Sequence, residues 1–220
     1  MTPEQLTGQI QDHIEYIADN IGLHKQVVQP WQAMQQAAMD DGFNLQIVSG
    51  FRSYDRQLGI FNAKFEGQRP VLDINNQPVD MQNLATEEQI HAILLYSALP
   101  GASRHHWGTD IDVFDPDLLA GKKLQLEPWE YDTGGPMAPL NQWLENNCHQ
   151  FDFYRPYQSF QGGIAPEPWH LSYRPLAESF ERQLDINVLT QCLRRKPTVA
   201  SNIVAKLLPS ILTRYVKITG

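Results

Sequence analysis

Cysteine is scarce in this sequence. Only Cys148 and Cys192 occur among 220 residues, and neither belongs to a paired cysteine motif. The scarcity excludes a disulfide framework and also a zinc cluster built on thiolates. Any metal ion in this protein must therefore be bound by histidine and carboxylate side chains.

Basic residues are also few. The chain has 17 Lys and Arg residues against 25 Asp and Glu residues, which gives a formal net charge of −8. Such an acidic chain does not attract a phosphate backbone, so a broad nucleic-acid-binding surface is excluded. A small or neutral partner is expected instead.

Long apolar runs are missing. No segment approaches the about 18 consecutive apolar residues that a membrane span needs. The N-terminal residues lack the basic and then apolar run of a secretory signal. As written, the chain is therefore expected in the cytoplasm, and a periplasmic or cell-envelope location is expected if an upstream segment precedes it.

The residues that are present predict one well-packed domain, since 42% of the chain is hydrophobic. Short apolar runs and strict polar–apolar alternation predict strands over 45–51, 109–115 and 169–173. The alternation in 109–115 further predicts one wet face and one core face. Helical periodicity predicts helices over 3–20, 30–41, 54–65, 86–99, 136–149 and 175–194. We therefore expect an α+β fold in which helices flank a small antiparallel sheet.

Two segments stand apart from this pattern. Residues 66–85 are polar, contain Pro and Asn and lack periodicity, so they are predicted to be a surface loop and a candidate lid. Residues 191–220 carry six basic residues and no acidic one, against a net charge of −14 in the first 190. Their apolar residues follow one helical stripe, with a kink expected at Pro209. We expect this helix to dock on the acidic body, with membrane-surface or partner binding as the alternative.

Three segments carry the candidate chemistry: 49–57, 103–112 and 167–170. A catalytic zinc ion takes three protein ligands and keeps a fourth position for water. His105, Asp112 and His170 would supply those ligands. A single histidine is more often an ordinary hydrogen-bonded residue, and His106 could replace His105 as a ligand, because only one of two neighbours can face the metal.

Catalysis needs further groups around such a metal. Glu167, three residues before His170, is placed to accept a proton from the water and pass it to the leaving amine. Arg52 would bring positive charge to the developing oxyanion or to a substrate carboxylate. Asp110 shares a face of the predicted strand with Asp112. It would be either a solvated strand residue or a hydrogen-bond partner of a metal ligand.

These segments resemble a known family, the D-alanyl-D-alanine carboxypeptidases of the VanY type. They are zinc metallopeptidases related to lysostaphin, D-Ala-D-Ala dipeptidase and sonic hedgehog. The resemblance covers about 44–173 and is carried by three ordered blocks: Ser49-Gly50-Phe51-Arg52-Ser53-Tyr54 with Gln57, then Ser103-x-His105-x-x-Gly108-x-Asp110-x-Asp112, then Glu167-x-Trp169-His170. Asp110 stands where the family usually has a small residue.

The resemblance implies a role for each matched position. His105, Asp112 and His170 would bind Zn²⁺, and Glu167 would be the catalytic acid and base. Arg52 would contact the oxyanion or a carboxylate, while Gln57 and Ser103 would take part in substrate recognition.

The expected activity is removal of a C-terminal D-amino acid, D-Ala, from a peptidoglycan-type peptide. Within the same enzyme class, the alternatives are an L,D-carboxypeptidase, a D-Ala-D-Ala dipeptidase and a peptidoglycan endopeptidase. Outside it, the alternative is a zinc-containing peptide-binding module without catalysis. We expect a zinc peptidase domain over 1–174 and a helical extension over 175–220 that packs on it.

Overall fold

The computed structural model of the protein describes residues 1–217. Helices surround one four-stranded sheet, and a two-stranded hairpin lies near the N-terminus. This arrangement confirms the predicted α+β fold with a small antiparallel sheet. The strands are β1 (Ile14–Ala18), β2 (Ile21–His24), β3 (Gln46–Ser49), β4 (Asp110–Phe114), β5 (Phe153–Tyr154) and β6 (His170–Tyr173). The helices are α1 (Pro3–Leu6), α2 (Val28–Asp40), α3 (Tyr54–Phe65), α4 (Thr86–Leu94), α5 (Pro128–Tyr131), α6 (Ala138–Asn147), α7 (Arg174–Gln183), α8 (Ile186–Arg195) and α9 (Ser201–Ile211).

The four-stranded sheet has the order β3-β4-β6-β5 and is antiparallel throughout. Its central strand β4 is buried on both faces, and Asp110 and Asp112 are only 0% and 5% exposed. The prediction of one wet face on this strand is therefore wrong. Polar–apolar alternation marks two different faces here, but the polar face lies inside the protein because its side chains pair with one another.

The predicted helix over 3–20 is also wrong, since α1 ends at Leu6 and a β-hairpin follows. The turn between β1 and β2 is made by two residues, and Asn20 adopts a left-handed conformation with φ +63°. Asn tolerates that conformation and is typical of two-residue hairpin turns. Isoleucines at helical spacing did not reveal this turn.

The described chain after β6 forms the three helices α7, α8 and α9. The predicted helix over 175–194 divides into α7 and α8 because Asp185 begins a new helix, where its side chain accepts a hydrogen bond from the backbone of Val188 at 2.9 Å. In α9 and the following turn, the apolar stripe of the basic segment is buried, including Val204, Leu208 and Tyr215. These side chains share a hydrophobic core with α3 and α4.

This burial leaves the basic segment without an exposed apolar stripe over its described length; residues 218–220 of the predicted segment lie outside the described residues. The predicted boundary between a peptidase domain over 1–174 and a helical extension over 175–220 stays a prediction. Among residues 1–217, no helix is both long enough and apolar enough to cross a membrane.

Candidate active site

Strand register places two of the predicted metal ligands side by side. In the pairing of β4 with β6, Asp112 lies directly opposite His170. Side chains opposite each other on antiparallel strands point to the same face, about 5 Å apart at their Cβ atoms. Asp112 Oδ1 accordingly lies 3.1 Å from Nδ1 of His170.

The third predicted ligand comes from the turn before β4. His105 lies in a 3₁₀ turn, Arg104–Trp107, that ends at Gly108 in a left-handed conformation with φ +69°. A Cβ atom at Gly108 would lie 2.6 Å from the backbone nitrogen of His24, so only glycine fits this close approach. The turn directs His105 Nε2 to within 3.4 Å of Asp112 Oδ2.

These three side chains could hold a metal ion. One donor atom from each of His105, Asp112 and His170 lies within 4.8 Å of the others, and all three residues are buried. Tetrahedral zinc with bonds of about 2.0 to 2.2 Å separates neighbouring ligand atoms by about 3.4 Å, close to the two distances above. Asp112 Oδ1 and His170 Nδ1 are also buried without a hydrogen-bond partner among the described residues. A cation would satisfy both atoms, which otherwise incur a desolvation penalty.

The second ring nitrogen of His105 and that of His170 each contact a hydrogen-bond acceptor. His105 Nδ1 lies 2.9 Å from the carbonyl oxygen of Gly50, and His170 Nε2 lies 2.9 Å from Asp110 Oδ1. Because a carbonyl and a carboxylate only accept hydrogen bonds, these nitrogens carry the protons. In the neutral form of each ring, the opposite nitrogen presents its lone pair to the metal position.

Asp110, the departure from the family pattern, belongs to a buried polar network. Arg104 Nε donates to Asp110 Oδ1 at 2.7 Å, and Arg104 Nη1 pairs with Glu181 of α7 at 2.5 Å. The hydroxyl of Ser172 also donates to Asp110, at 3.1 Å. Burial raises the pKa of Asp110, but the Arg104 guanidinium and the hydrogen bonds from His170 and Thr109 together outweigh burial and hold that pKa well below its ordinary range. Asp110 is thus the partner behind His170 rather than a solvated strand residue.

His106 has a structural role in this arrangement. Its Nε2 accepts a hydrogen bond from the backbone N–H of Gly101 at 3.1 Å, and its Nδ1 lies 2.6 Å from the carbonyl oxygen of Arg52. Both ring nitrogens are therefore occupied away from the metal position. Burial lowers the pKa of His106 to about 3, so the ring stays neutral.

Glu167 lies beside the metal position without being one of the three grouped donors. A turn in which the N–H of His170 donates to the carbonyl of Glu167 at 3.0 Å brings the Glu167 carboxylate to 3.4 Å from His170 Nδ1. Burial raises the pKa of Glu167 to about 7. A carboxylate with that pKa can both accept and donate a proton near neutral pH.

Arg52 lines the same cleft and is held in a fixed orientation. Its Nη1 donates to Gln57 Oε1 at 2.9 Å and its Nη2 donates to Ser49 Oγ at 3.1 Å. The Nε of Arg52 is buried and has no partner among the described residues. The guanidinium therefore keeps donor capacity toward the cleft, which Ser103 also lines.

Gln57, which is predicted to take part in substrate recognition, lies behind the cleft wall. Gln57 is fully buried, and its amide nitrogen donates to the carbonyl of Ala98 at 2.7 Å while its oxygen accepts from Arg52. Both polar groups of Gln57 are thus already used. The residue orients Arg52 from behind the cleft.

The cleft around these residues has a volume of about 470 Å³, and the predicted loop 66–85 forms one of its walls through Leu72 and Asn76. Asn76 Oδ1 accepts a hydrogen bond from the Tyr96 hydroxyl at 2.8 Å, which ties the loop to the chain after α4. Tyr157 is a further cleft residue, and its ring lies 4.8 Å from that of His170. It lies in an irregular segment after β5 that carries no motif, so only the fold reveals its position.

Comparison with known proteins decides the family. The sequence profile described as "VanY: D-alanyl-D-alanine carboxypeptidase" matches residues 20–176. The chain belongs to this family. It is a peptidase of the VanY type, a class that acts on peptidoglycan peptides, and the resemblance found in the sequence is confirmed.

Two curated relatives illustrate the family at the sequence level. An uncharacterized protein of Haemophilus influenzae is 41% identical over 121 residues, which cover 54% of this chain and 92% of the relative. The putative carboxypeptidase YodJ of Bacillus subtilis is 25% identical over 154 residues, which cover 69% of this chain and 46% of YodJ.

Solved structures show the same fold. VanYB in complex with D-alanine-D-alanine has a TM-score of 0.56 and 19% identity, covering 83% of this chain and 90% of that one. A vancomycin-resistance D,D-pentapeptidase VanY in complex with Zn(II) has a TM-score of 0.53 and 21% identity, covering 78% and 85%. The LD-carboxypeptidase LdcB has a TM-score of 0.51 and 23% identity, covering 77% and 69%. At these identities the likeness describes the fold alone.

Proposed function

We propose that this protein is a zinc-dependent carboxypeptidase that removes a C-terminal D-Ala from peptidoglycan-type peptides. The observation that carries the proposal is the position of Glu167. This partly buried carboxylate lies 3.4 Å from His170 Nδ1, beside three grouped metal donors and in the cleft that Arg52 also lines. A peptide-binding module without catalysis needs no such proton acceptor.

The proposed metal is Zn²⁺, held by His105, Asp112 and His170. Two imidazoles and one carboxylate form a ligand set suited to catalytic zinc, which leaves a position free for water. When bound, zinc lowers the pKa of a coordinated water to about 7 and polarises the substrate carbonyl.

The protein's own residues would carry the proton and the charge. Glu167 would take a proton from the attacking water and deliver it to the leaving amine as the C–N bond breaks. Arg52 would donate hydrogen bonds to the carbonyl oxygen as it gains negative charge, or to the free carboxylate of the terminal residue. Ser103 would add a hydroxyl contact to the same end of the peptide. The products are free D-Ala and the shortened peptide.

Carboxypeptidase action predicts that the free terminal carboxylate is recognised. We expect a peptide ending in D-Ala-D-Ala to be cleaved with a kcat/KM on the order of 10 to 100 times that of its C-terminal amide. The difference reflects one charge-assisted hydrogen bond, which contributes about 1.5 to 3 kcal/mol. Steady-state hydrolysis of the matched acid and amide, with zinc at saturation, measures the ratio. Equal rates on the two peptides would instead assign the chain to the endopeptidases.

The configuration of the residue before the cleaved bond separates D,D- from L,D-carboxypeptidase activity. Two acetylated peptides that differ only in this residue, one ending in D-Ala-D-Ala and one in L-Ala-D-Ala, provide the comparison. The proposal expects faster cleavage of the first. Release of the intact D-Ala-D-Ala dipeptide would identify a dipeptidase instead.

Asp110 gives a prediction about metal binding. In Asp110→Asn, the carboxylate that accepts a hydrogen bond from His170 Nε2 becomes a neutral amide, and Arg104 loses one of its two buried acidic partners. We expect zinc affinity to fall on the order of 10- to 100-fold, as is typical when the partner behind a ligand is changed. Competition with a chelator of known zinc affinity measures the loss, and Asp117→Asn on an exposed turn is the matched control. Unchanged affinity in Asp110→Asn would show that Asp110 serves only the fold.

A further inference from the structure

The cleft contains two cationic side chains that the proposed reaction does not use. Lys64 and Arg69 line it together with Arg52 and Glu167. Lys64 lies in the last turn of α3, and Arg69 follows in the loop, where its backbone N–H donates to the carbonyl of Ala63 at 3.1 Å. The end of α3 and the start of the loop thus present positive charge to the cleft.

Neither cation forms a close ion pair, although Glu167 interacts electrostatically with Lys64 from a greater distance. Within residues 1–217, no carboxylate oxygen lies within 4.0 Å of Lys64 Nζ or of the Arg69 guanidinium. The nearby acid Glu127 instead accepts a hydrogen bond from Trp129 Nε1 at 2.8 Å. Burial lowers the pKa of Lys64 to about 8, which reflects a charge partly removed from water without an ion pair.

The charges of the cleft also do not balance. Arg52, Lys64, Arg69 and Arg104 line the cleft with the carboxylates of Asp112, Glu127 and Glu167. Arg104 is paired with Asp110 and Glu181 behind the wall, so the other three cations equal the three carboxylates in number before any metal binds. A divalent cation at the proposed site leaves an excess of positive charge. In a chain whose net charge is −8, this excess marks the cleft as a site for an anionic ligand.

The cations are spread along the cleft instead of gathered at one end. Arg52 directly precedes the cap residue of α3, and Lys64 lies ten residues after Tyr54, so about 15 Å of helix separates the two ends. An extended peptide spans about 3.3 Å per residue. The backbone positions of Arg52 and Lys64 thus leave room for carboxylates on two different residues of the peptide.

We propose that Lys64 and Arg69 form a second carboxylate-binding site, which binds an acidic side chain on the N-terminal side of the cleaved bond. This inference rests on the proposed function, because it takes the cleft as the peptide-binding site. A carboxypeptidase holds only one residue after the cleaved bond, so the remaining length of the cleft must accommodate the residues before it. The preferred substrates are thus peptides with two carboxylates, one terminal and one on an internal residue.

Direct binding tests the inference without turnover. The protein used is the zinc-loaded Glu167→Gln variant, titrated by calorimetry with acetylated peptides that end in D-Ala-D-Ala. Each peptide carries either glutamate or glutamine, at the first or the second position before that dipeptide. We expect a glutamate peptide to bind about 10 times more tightly than its glutamine counterpart, because a charge-assisted contact is lost in the latter.

Two variants then identify the residues responsible. Adding Lys64→Met and Arg69→Gln should bring the glutamate-to-glutamine ratio close to one while leaving the affinity for the glutamine peptide similar. Lys206→Met, on the exposed face of α9, is the matched control and should keep the full preference. The glutamine peptide also reports whether the doubly changed cleft is still intact.

The results that would contradict this inference differ from the result that would contradict the proposed function. Equal affinities for glutamate and glutamine at both positions would overturn the inference. So would a Lys64→Met, Arg69→Gln protein that loses its discrimination between a terminal acid and a terminal amide, since these residues would then bind the terminal carboxylate. Failure of the unaltered protein to hydrolyse any of these peptides would contradict the proposed function, whereas the affinity ratio would still decide the inference.

Discussion

Replacing His170 with alanine should abolish the zinc binding that we propose for the unaltered protein, at about one ion per chain. The substitution deletes one of three ligands and leaves Asp112 Oδ1 without its neighbour at 3.1 Å. Two protein ligands do not complete the set of three that a catalytic zinc site uses. We expect zinc affinity to fall by more than about 100-fold, the upper end of the loss seen when only a hydrogen-bond partner of a ligand is changed. Metal analysis of the purified, dialysed protein measures it, and hydrolysis should disappear with the metal.

The control for this prediction is His149→Ala, which removes an exposed histidine outside the cleft and should keep the full zinc content. Circular dichroism shows whether His170→Ala is folded, and His105→Ala offers a second route to the same site should His170→Ala be unstable. A folded His170→Ala protein that retains one zinc per chain would show that the metal is held by other residues.

The sequence was sufficient to predict much of this site because its residues lie in short, regular segments. β4 and β6 were predicted from alternation and apolar content, and antiparallel pairing then brings Asp112 and His170 to one face. The position of Glu167 follows from that of β6, because Glu167 lies three residues before His170 and a turn joins the two. Local pattern and strand pairing therefore account for the placement of Asp112, His170 and Glu167, three of the four central side chains; the fourth is His105.

Other features depend on contacts between distant parts of the chain. Arg104 occupies a variable position of the motif, and its buried partners Asp110 and Glu181 come from β4 and α7. Nothing in the sequence near Arg104 indicates that α7 will cover it. The same holds for Gln57, whose motif position suggested a substrate contact although its amide is taken up by Arg52 and Ala98.

The β-hairpin shows a different limit of sequence patterns. Isoleucines spaced three or four residues apart fit one face of a helix, yet β1 and β2 bury Ile14 and Leu23 against the rest of the protein instead. The backbone N–H of His24 donates to the carbonyl of Gly108 at 2.8 Å, so the hairpin supports the turn that carries His105. Tertiary contact with this turn outweighs the helical periodicity.

Changing Glu167 to glutamine should separate metal binding from catalysis. Glutamine has nearly the same shape but cannot take a proton from water, and general acid–base catalysis contributes about 100- to 10,000-fold to a rate. We therefore expect kcat on a D-Ala-D-Ala peptide to fall by at least about 100-fold. Zinc content should stay near one ion per chain, because Glu167 lies outside the three grouped donors. Paired measurements of zinc content and steady-state hydrolysis test both expectations.

The pattern of the two parameters distinguishes a proton carrier from a residue that only binds substrate. If Glu167 transfers the proton, kcat falls while KM changes little, since the substrate keeps its contacts with Arg52 and Ser103. If Glu167 only contacted the peptide, KM would rise and kcat would remain. Glu145→Gln, at an exposed position of α6, controls for the loss of one negative charge and should retain the full rate. A Glu167→Gln protein that hydrolyses the peptide at the unaltered rate would require a different base, and the partly buried position of this carboxylate beside His170 would then have to serve the fold.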